Sequence, residues 1–290
     1  MTMKYKLVKL MCLSVLGPTI FFSQPASARD TLTRISETGK VRISIANQYP
    51  FAFKKPDGTL SGIDYEIAQR IMTALGGKAM EGVVTDFGSM IPGLQADRVD
   101  LIAAGMFIRP DRCKQVAFSN PHYASRMGLL VPNGNPKKLN SISDIKNGAG
   151  VTVATVQGGA SDKIAAEGGL TASSVKRFPD VTATVAALRS GRVDGVILDR
   201  VSLNGIVQEN PDAKLEIAEP FADVIVNGKP SIQYAGFVFR QTDTALVNKF
   251  NEALSAFVGS PEHLVLLAKY NMNKQDLPPK GITAMEACNP

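Results

Sequence analysis

The sequence predicts an α/β protein of two similar lobes, each a mainly parallel sheet flanked by helices. One observation weighs most: a pattern occurs twice, ninety-four residues apart. Leu94-Gln-Ala-Asp-Arg98-Val99-Asp100-Leu-Ile-Ala-Ala-Gly105 and Leu188-Arg-Ser-Gly-Arg192-Val193-Asp194-Gly-Val-Ile-Leu-Asp199 share Leu, Arg, Val and Asp in the same register. Each copy reads as a helix end, a short polar turn and an apolar run suited to a buried parallel strand. Strand-like and helix-like stretches also alternate along the chain, and its length is enough for two cores. In open parallel sheets, ligands collect beyond the carboxyl ends of the strands. Gly105 and Asp199, at equivalent registers, are therefore expected to face a shared cleft. Helix-turn-strand joints commonly use Leu, Arg and Asp, so a chance echo is the competing explanation.

In chain order, Lys40–Ala46 alternates like a strand, Lys55-Pro-Asp-Gly58 makes a turn, and Gly62-Ile-Asp-Tyr-Glu66 opens an amphipathic helix through Leu75. Val83–Thr85 is a short strand, Ser89–Ala96 a helix and Val99–Ala103 a strand. Gly128–Val131 leads into Pro132-Asn-Gly-Asn-Pro136, a composition break expected to be the first interlobe crossing, and Ser143-Asp-Ile begins the second lobe. There Val151–Val156 is a strand, Gln157-Gly-Gly-Ala-Ser161 a turn, and a helix starts near Asp162. Val175–Arg177 and Val196–Leu198 are strands, with Val181–Leu188 helical between them. Gln233–Phe239 returns as the second crossing, and the helices Thr244–Val258 and Glu262–Tyr270 close on the first lobe. The expected division is 29–131 plus 234–290 for lobe 1 and 132–233 for lobe 2.

Residues 1–28 read as a signal peptide. Lys4, Lys6 and Lys9 precede the apolar stretch Leu10–Phe22, and Ala26-Ser-Ala28 offers a cleavage site before Arg29. The apolar stretch is short for a membrane span, and Lys9 spoils any lipoprotein box around Cys12. Cleavage takes 28 of the 290 residues and leaves 262; it removes three lysines and no acid, so the net charge falls from +6 to +3. No basic run or aromatic-basic interleaving remains, which argues against a nucleic-acid partner. The mature chain keeps two cysteines, Cys113 and Cys288, in an oxidising compartment. They form either a disulfide that ties the tail to the first lobe or two free thiols.

Several short motifs occur in a telling order: Tyr49-Pro-Phe51, Gly62-Ile-Asp64, Asp86-Phe-Gly-Ser-Met-Ile-Pro-Gly-Leu94, Ile108-Arg-Pro-Asp-Arg112, Phe118-Ser-Asn-Pro121, Val156-Gln-Gly-Gly159 and Gly191-Arg-Val-Asp194. In this order the chain resembles the bacterial extracellular solute-binding proteins of polar amino-acid ABC importers, over essentially its whole mature length. Within that family, Gly88–Gln95 and Ala104–Cys113 look most like the ectoine/hydroxyectoine-binding branch. The resemblance implies a type II periplasmic-binding fold with two interlobe crossings.

It also implies a ligand site. Arg112 matches the carboxylate-binding Arg of the family, and a guanidinium presents a planar fork suited to that task; Arg109 fits a surface role. Ala160 and Ser161 stand at a helix N-terminus, where unpaired amides favour an anion. A plain helix cap explains them equally well, and the family's hydroxyl pair is here Ala160-Ser161. Asp199 matches the acid that binds a ligand ammonium, or it caps its own helix. The ectoine-type pattern has no acid there, and an acid favours a primary amine over a delocalised cyclic amidinium. Phe51, Phe87 and Phe107 match the cleft aromatics, whose faces can hold a cation, or they belong to the core; Gln48 adds an amide or is a solvent-facing loop side chain, and Gly105 lies at the cleft by register.

His122 and His263 are the only histidines, neither in a metal-spaced pair, and no serine-nucleophile signature or P-loop is present. No catalytic residue, metal or cofactor is expected. The expected function is that of a monomeric, non-enzymatic periplasmic binding protein that closes on a small zwitterionic ligand and delivers it to the membrane permease of an ABC importer. An exported lyase or dehydratase on the same fold, and a sensor without a transporter, are the alternatives.

Overall fold

The computed structural model describes Met1 and residues 30–211, 214–226 and 228–289; residues 2–29, with most of the expected signal peptide, its expected cleavage site and Cys12, lie outside the described residues. No helix among those residues is long and apolar enough to cross a membrane.

Two sheets organise the chain. In the first, Ala79–Val84, Lys40–Ile45 and Leu101–Ile102 run parallel, and Val238–Phe239 joins antiparallel between Leu101–Ile102 and Ala117–Phe118. In the second, Gly195–Asp199, Val153–Val156 and Val175–Phe178 run parallel, while Tyr123–Pro132 lies antiparallel between Gly195–Asp199 and Leu215–Ile217. Helix Ile63–Ala74 buries Ile63, Ile67 and Ile71 at the helical spacing that sets a single apolar face. Helix Thr244–Phe257 buries Leu246, Phe250, Leu254 and Phe257 and packs against it.

The echo is a structural repeat. Asp97 and Gly191, at matching registers, both take a left-handed conformation, with φ of 55° and 69°. Their amides donate to the carbonyls of Leu94 and Leu188, at 3.1 and 3.0 Å, which ends each helix. The Asp100 amide donates to Arg42 O at 2.8 Å while its carboxylate accepts the Arg42 amide at 2.7 Å. Asp194 does the same with Thr152, at 2.7 and 2.8 Å. Each aspartate closes the first rung between its own strand and the neighbouring parallel strand. A chance echo would not place the same hydrogen bonds at the same registers. Asp100 differs in its surroundings: burial alone would raise its carboxyl, but bonds from Arg42 and Arg34 hold it below its ordinary value.

The structure corrects several expected boundaries. The strand expected at Val83–Thr85 begins at Ala79; it is a largely exposed edge strand, so its sequence lacks an apolar run. The helix expected near Asp162 starts at Ala160. Helices Thr31–Thr38 and Arg200–Glu209 were not expected; Asn204 and Gly205 mask the apolar face of the second. Residues 127–131, expected in lobe 1, pair within the second sheet. The chain changes sheet earlier, where Tyr123–Arg126 pairs antiparallel with Ile232–Ala235. Pro132–Pro136 is a turn beside the second sheet, its Asn133 amide donating to Lys214 O at 3.0 Å. The return strand is two strands in different sheets, Ile232–Ala235 and Val238–Phe239, broken around Gly236.

Cys113 and Cys288 are joined in a disulfide across a sequence separation of 175 residues. It fastens helix Ala284–Cys288 to helix Pro110–Cys113. The long loop it closes restricts the unfolded chain, so Cys288→Ser should cost about 2–4 kcal/mol in urea unfolding. Reductant should destabilise the native protein and leave the variant unchanged; an equal stability of both proteins would show the link to be energetically idle.

Candidate functional site

A small cavity lies where the two repeats meet. Gln48, Phe51, Phe87, Gly105 and Phe107 reach it from the first lobe, and Ala160, Ser161 and Asp199 from the second. These are eight of the nine ligand-site residues read from the sequence, and Gly105 and Asp199 do face one another's lobe across a shared space. The cavity measures about 40 Å³, room for the centres of roughly three waters. It shares Gln48, Phe87, Val156 and Val181 with an outer cleft between the lobes of about 710 Å³.

Asp199 ends its strand and caps helix Arg200–Glu209, so both readings of it hold together. Its carboxylate accepts the Ser202 amide at 3.0 Å and the Ser202 hydroxyl at 2.6 Å. Gln48 donates its amide to that hydroxyl from the other lobe, at 2.9 Å. Burial pushes the Asp199 carboxyl above its ordinary value, although the bonds from Ser202 oppose the shift. Ser202 is the contact that sequence reading missed; its position three residues after an N-cap Asp was the available signal.

Arg112 is the predicted residue outside the cavity lining. Its guanidinium, only 4 % exposed, donates to Phe107 O and to Gly158 O, both at 2.8 Å. The second bond crosses to the other lobe. The Phe87 ring centroid lies 5.4 Å from its Cζ, a cation–π distance. Among the described residues Arg112 has no carboxylate in a salt bridge. Burial, and next the charge of Arg109, push it down to about 9, with Asp111 opposing. Arg109, read as a surface residue, also reaches across: it grips Asp111 at 2.6 and 3.0 Å and donates to Gly159 O at 3.2 Å.

Ser161 is buried in the first turn of helix Ala160–Glu167, whose N-cap Gly159 supplies no side-chain cap. First-turn amides are thus left without a capping side chain, which suits an anion. Phe51 and Phe107 belong to the core and to the cavity at once: Phe51 stacks on Tyr123 at 5.7 Å and Phe107 meets its edge at 6.1 Å. Below them, Asp64 accepts the Gly105 amide at 2.7 Å and pairs with the buried His122 ring at 2.9 Å. That support fixes Gly105, whose φ of 62° already favours glycine.

Two α/β lobes joined by paired strands, with Asp199, aromatic faces and the uncapped first turn of helix Ala160–Glu167 lining one cavity and Arg112 buried beside it, are the arrangement of a protein that binds a small molecule between its lobes. The chain belongs to the bacterial extracellular solute-binding proteins, family 3, whose model matches residues 41–273. A probable amino-acid ABC transporter periplasmic-binding protein of Sinorhizobium fredii is 32 % identical over 254 residues, covering 87 % of this chain and 83 % of that one. The crystal structure of EhuB in complex with hydroxyectoine superposes with a TM-score of 0.72 at 30 % identity, covering 90 % of this chain and 95 % of that one. The ancestral amino acid-binding protein AncCDT-1, a precursor of cyclohexadienyl dehydratase, also gives 0.72, at 27 % identity, over 83 % and 99 % of the two chains. The relatives found by sequence are named as binding proteins, and the family is that of extracellular solute binding for amino-acid ABC importers.

Proposed function

We propose that this protein, exported to the periplasm by residues 1–28, binds a compact zwitterion with a primary ammonium and passes it to the permease of an ABC importer. A polar amino acid or an amino-acid-like osmolyte meets that description. The observation that supports it most is a pair of buried charged groups, one on each lobe: among the described residues Arg112 has no carboxylate in a salt bridge and Asp199 no cation. A ligand carboxylate would relieve the first, together with the amides at Ala160 and Ser161, and a ligand ammonium the second. Phe51, Phe87 and Phe107 would enclose the body between them. Arg112 has five donors, so it can take a carboxylate while keeping one of its carbonyl contacts.

Gln48 meets Ser202 and Arg112 meets Gly158 O across the cleft, so entry of an amino acid requires the lobes to part. The hinge we propose is the strand pair Tyr123–Arg126 and Ile232–Ala235, which joins the two sheets. A ligand touching both lobes favours the closed form by its differential affinity. A thermal-shift screen of refolded, ligand-free protein with L-arginine, L-glutamine, ectoine, hydroxyectoine and glycine betaine tests the reading. A true ligand at a hundredfold excess over Kd should add about 2.7 kcal/mol, and small-angle scattering should then show a smaller radius of gyration. The reading fails if no zwitterion in the screen raises Tm, or if a confirmed ligand leaves the radius unchanged. Product formation from a bound compound would instead identify an enzyme.

A further inference from the structure

Gly205 sits inside helix Arg200–Glu209 on the second lobe, with no positive φ to require glycine. A glycine there weakens a helix relative to alanine, so its presence needs another reason. The reason lies across the cleft: a Cβ added at Gly205 would stand 2.7 Å from Cδ1 and 3.1 Å from Cε1 of Tyr49, and 3.3 Å from Cδ of Pro50. Tyr49 cannot readily yield. On its own lobe it packs against Phe53 at 5.4 Å and Tyr270 at 6.0 Å. Tyr270 is itself fixed, its hydroxyl accepting the Gly62 amide at 2.9 Å and bonding Glu66. The Tyr49 hydroxyl donates to Gln208 on the same opposing helix, at 3.1 Å, and Asn271 donates to that same Gln208 oxygen. One turn back on the helix, Ser202 meets Gln48.

We propose that Tyr49 and Gly205 form the closing stop of the molecule: the aromatic ring of one lobe seats against the bare helix backbone of the other, and this contact sets how far the lobes close. Both are positioning residues. Their contact brings Gln48 to Ser202 and so holds Asp199 toward the cavity. The inference rests on the reading that the lobes open and close, but needs no knowledge of the ligand.

The test uses a cysteine pair, Gln48→Cys with Ser202→Cys, in protein that carries Cys12→Ser and keeps its native disulfide intact. Its rate of disulfide formation in oxidised glutathione, without ligand, reports how often the lobes reach the closed position. Adding Gly205→Ala should slow it about tenfold, the scale of an overpacked contact, with Tm unchanged or raised. Adding Tyr49→Ala to that chain should restore the rate, since the ring that met the new methyl is gone. An unchanged rate in the alanine variant, or no rescue by Tyr49→Ala, would overturn the proposal. So would a lowered Tm for Gly205→Ala, which would place the glycine's role in the folding of the second lobe. A failed ligand screen leaves this outcome untouched, so failure of the ligand reading and failure of the closing stop can be told apart.

Discussion

Arg112→Ala should weaken ligand binding by about 2–5 kcal/mol, the usual loss when one partner of a desolvated charge pair is removed. Calorimetry with the best compound from the thermal-shift screen would show it. Stability should move little or in the opposite direction. The guanidinium is buried against two carbonyls and an aromatic ring with no salt-bridge partner among the described residues, and an uncompensated buried charge costs the folded state. Arg112→Met, which fills the space without the charge, should therefore bind as poorly as the alanine variant while unfolding at the same or a higher temperature. Arg112→Lys should rescue little, because an ammonium cannot reproduce the fork that spans Phe107 O and Gly158 O and still meet a carboxylate. Unchanged affinity in Arg112→Ala would remove this residue from the site and leave the helix N-terminus at Ala160 and Ser161 as the anion subsite.

Asp199→Asn should cost a comparable 2–5 kcal/mol for ligands with a primary ammonium and much less for ectoine-like cyclic amidinium ligands. The pH dependence should agree. Burial raises the Asp199 carboxyl in the free protein, so it takes up a proton at a pH where an exposed aspartate is still charged. A bound ammonium needs the carboxylate. Affinity should therefore fall as pH falls through that raised value, and the asparagine variant should lose this dependence. The same shift acts on stability with the opposite slope: the folded state favours the protonated acid, so this group's contribution declines as pH rises between its ordinary and its raised value. Equal losses for both ligand classes, with the wild-type pH profile retained, would mean that Asp199 only caps its helix.

The position of the site was largely legible from the repeat. Once Leu94–Gly105 and Leu188–Asp199 are aligned, the strand ends at Gly105 and Asp199 must open toward one cleft. The left-handed turns at Asp97 and Gly191 and the strand clamps of Asp100 and Asp194 show why those residue types recur. The composition break at Pro132–Pro136 misled, because Pro, Asn and Gly mark a turn and carry no information on whether it lies within a lobe or between lobes. The crossing itself, Tyr123–Arg126, reads as ordinary strand, since the backbone stays extended as it leaves one sheet for the other.

By itself the sequence determined the α/β class, the two-lobed repeat and, through the register of that repeat, that Gly105 and Asp199 open toward one cleft. These follow from periodicity and turn chemistry, which act over a few residues; the other candidate site residues came from the ordered motifs that resemble the family's. Only the tertiary structure decided what those residues touch. Gln48 meets Ser202 across 154 residues of chain, Arg112 is taken up by the Phe107 and Gly158 carbonyls, and Gly205 leaves room for Tyr49. Each of these contacts depends on how far and at what angle one lobe meets the other. Packing between distant surfaces sets that angle, and no local pattern in the chain encodes it.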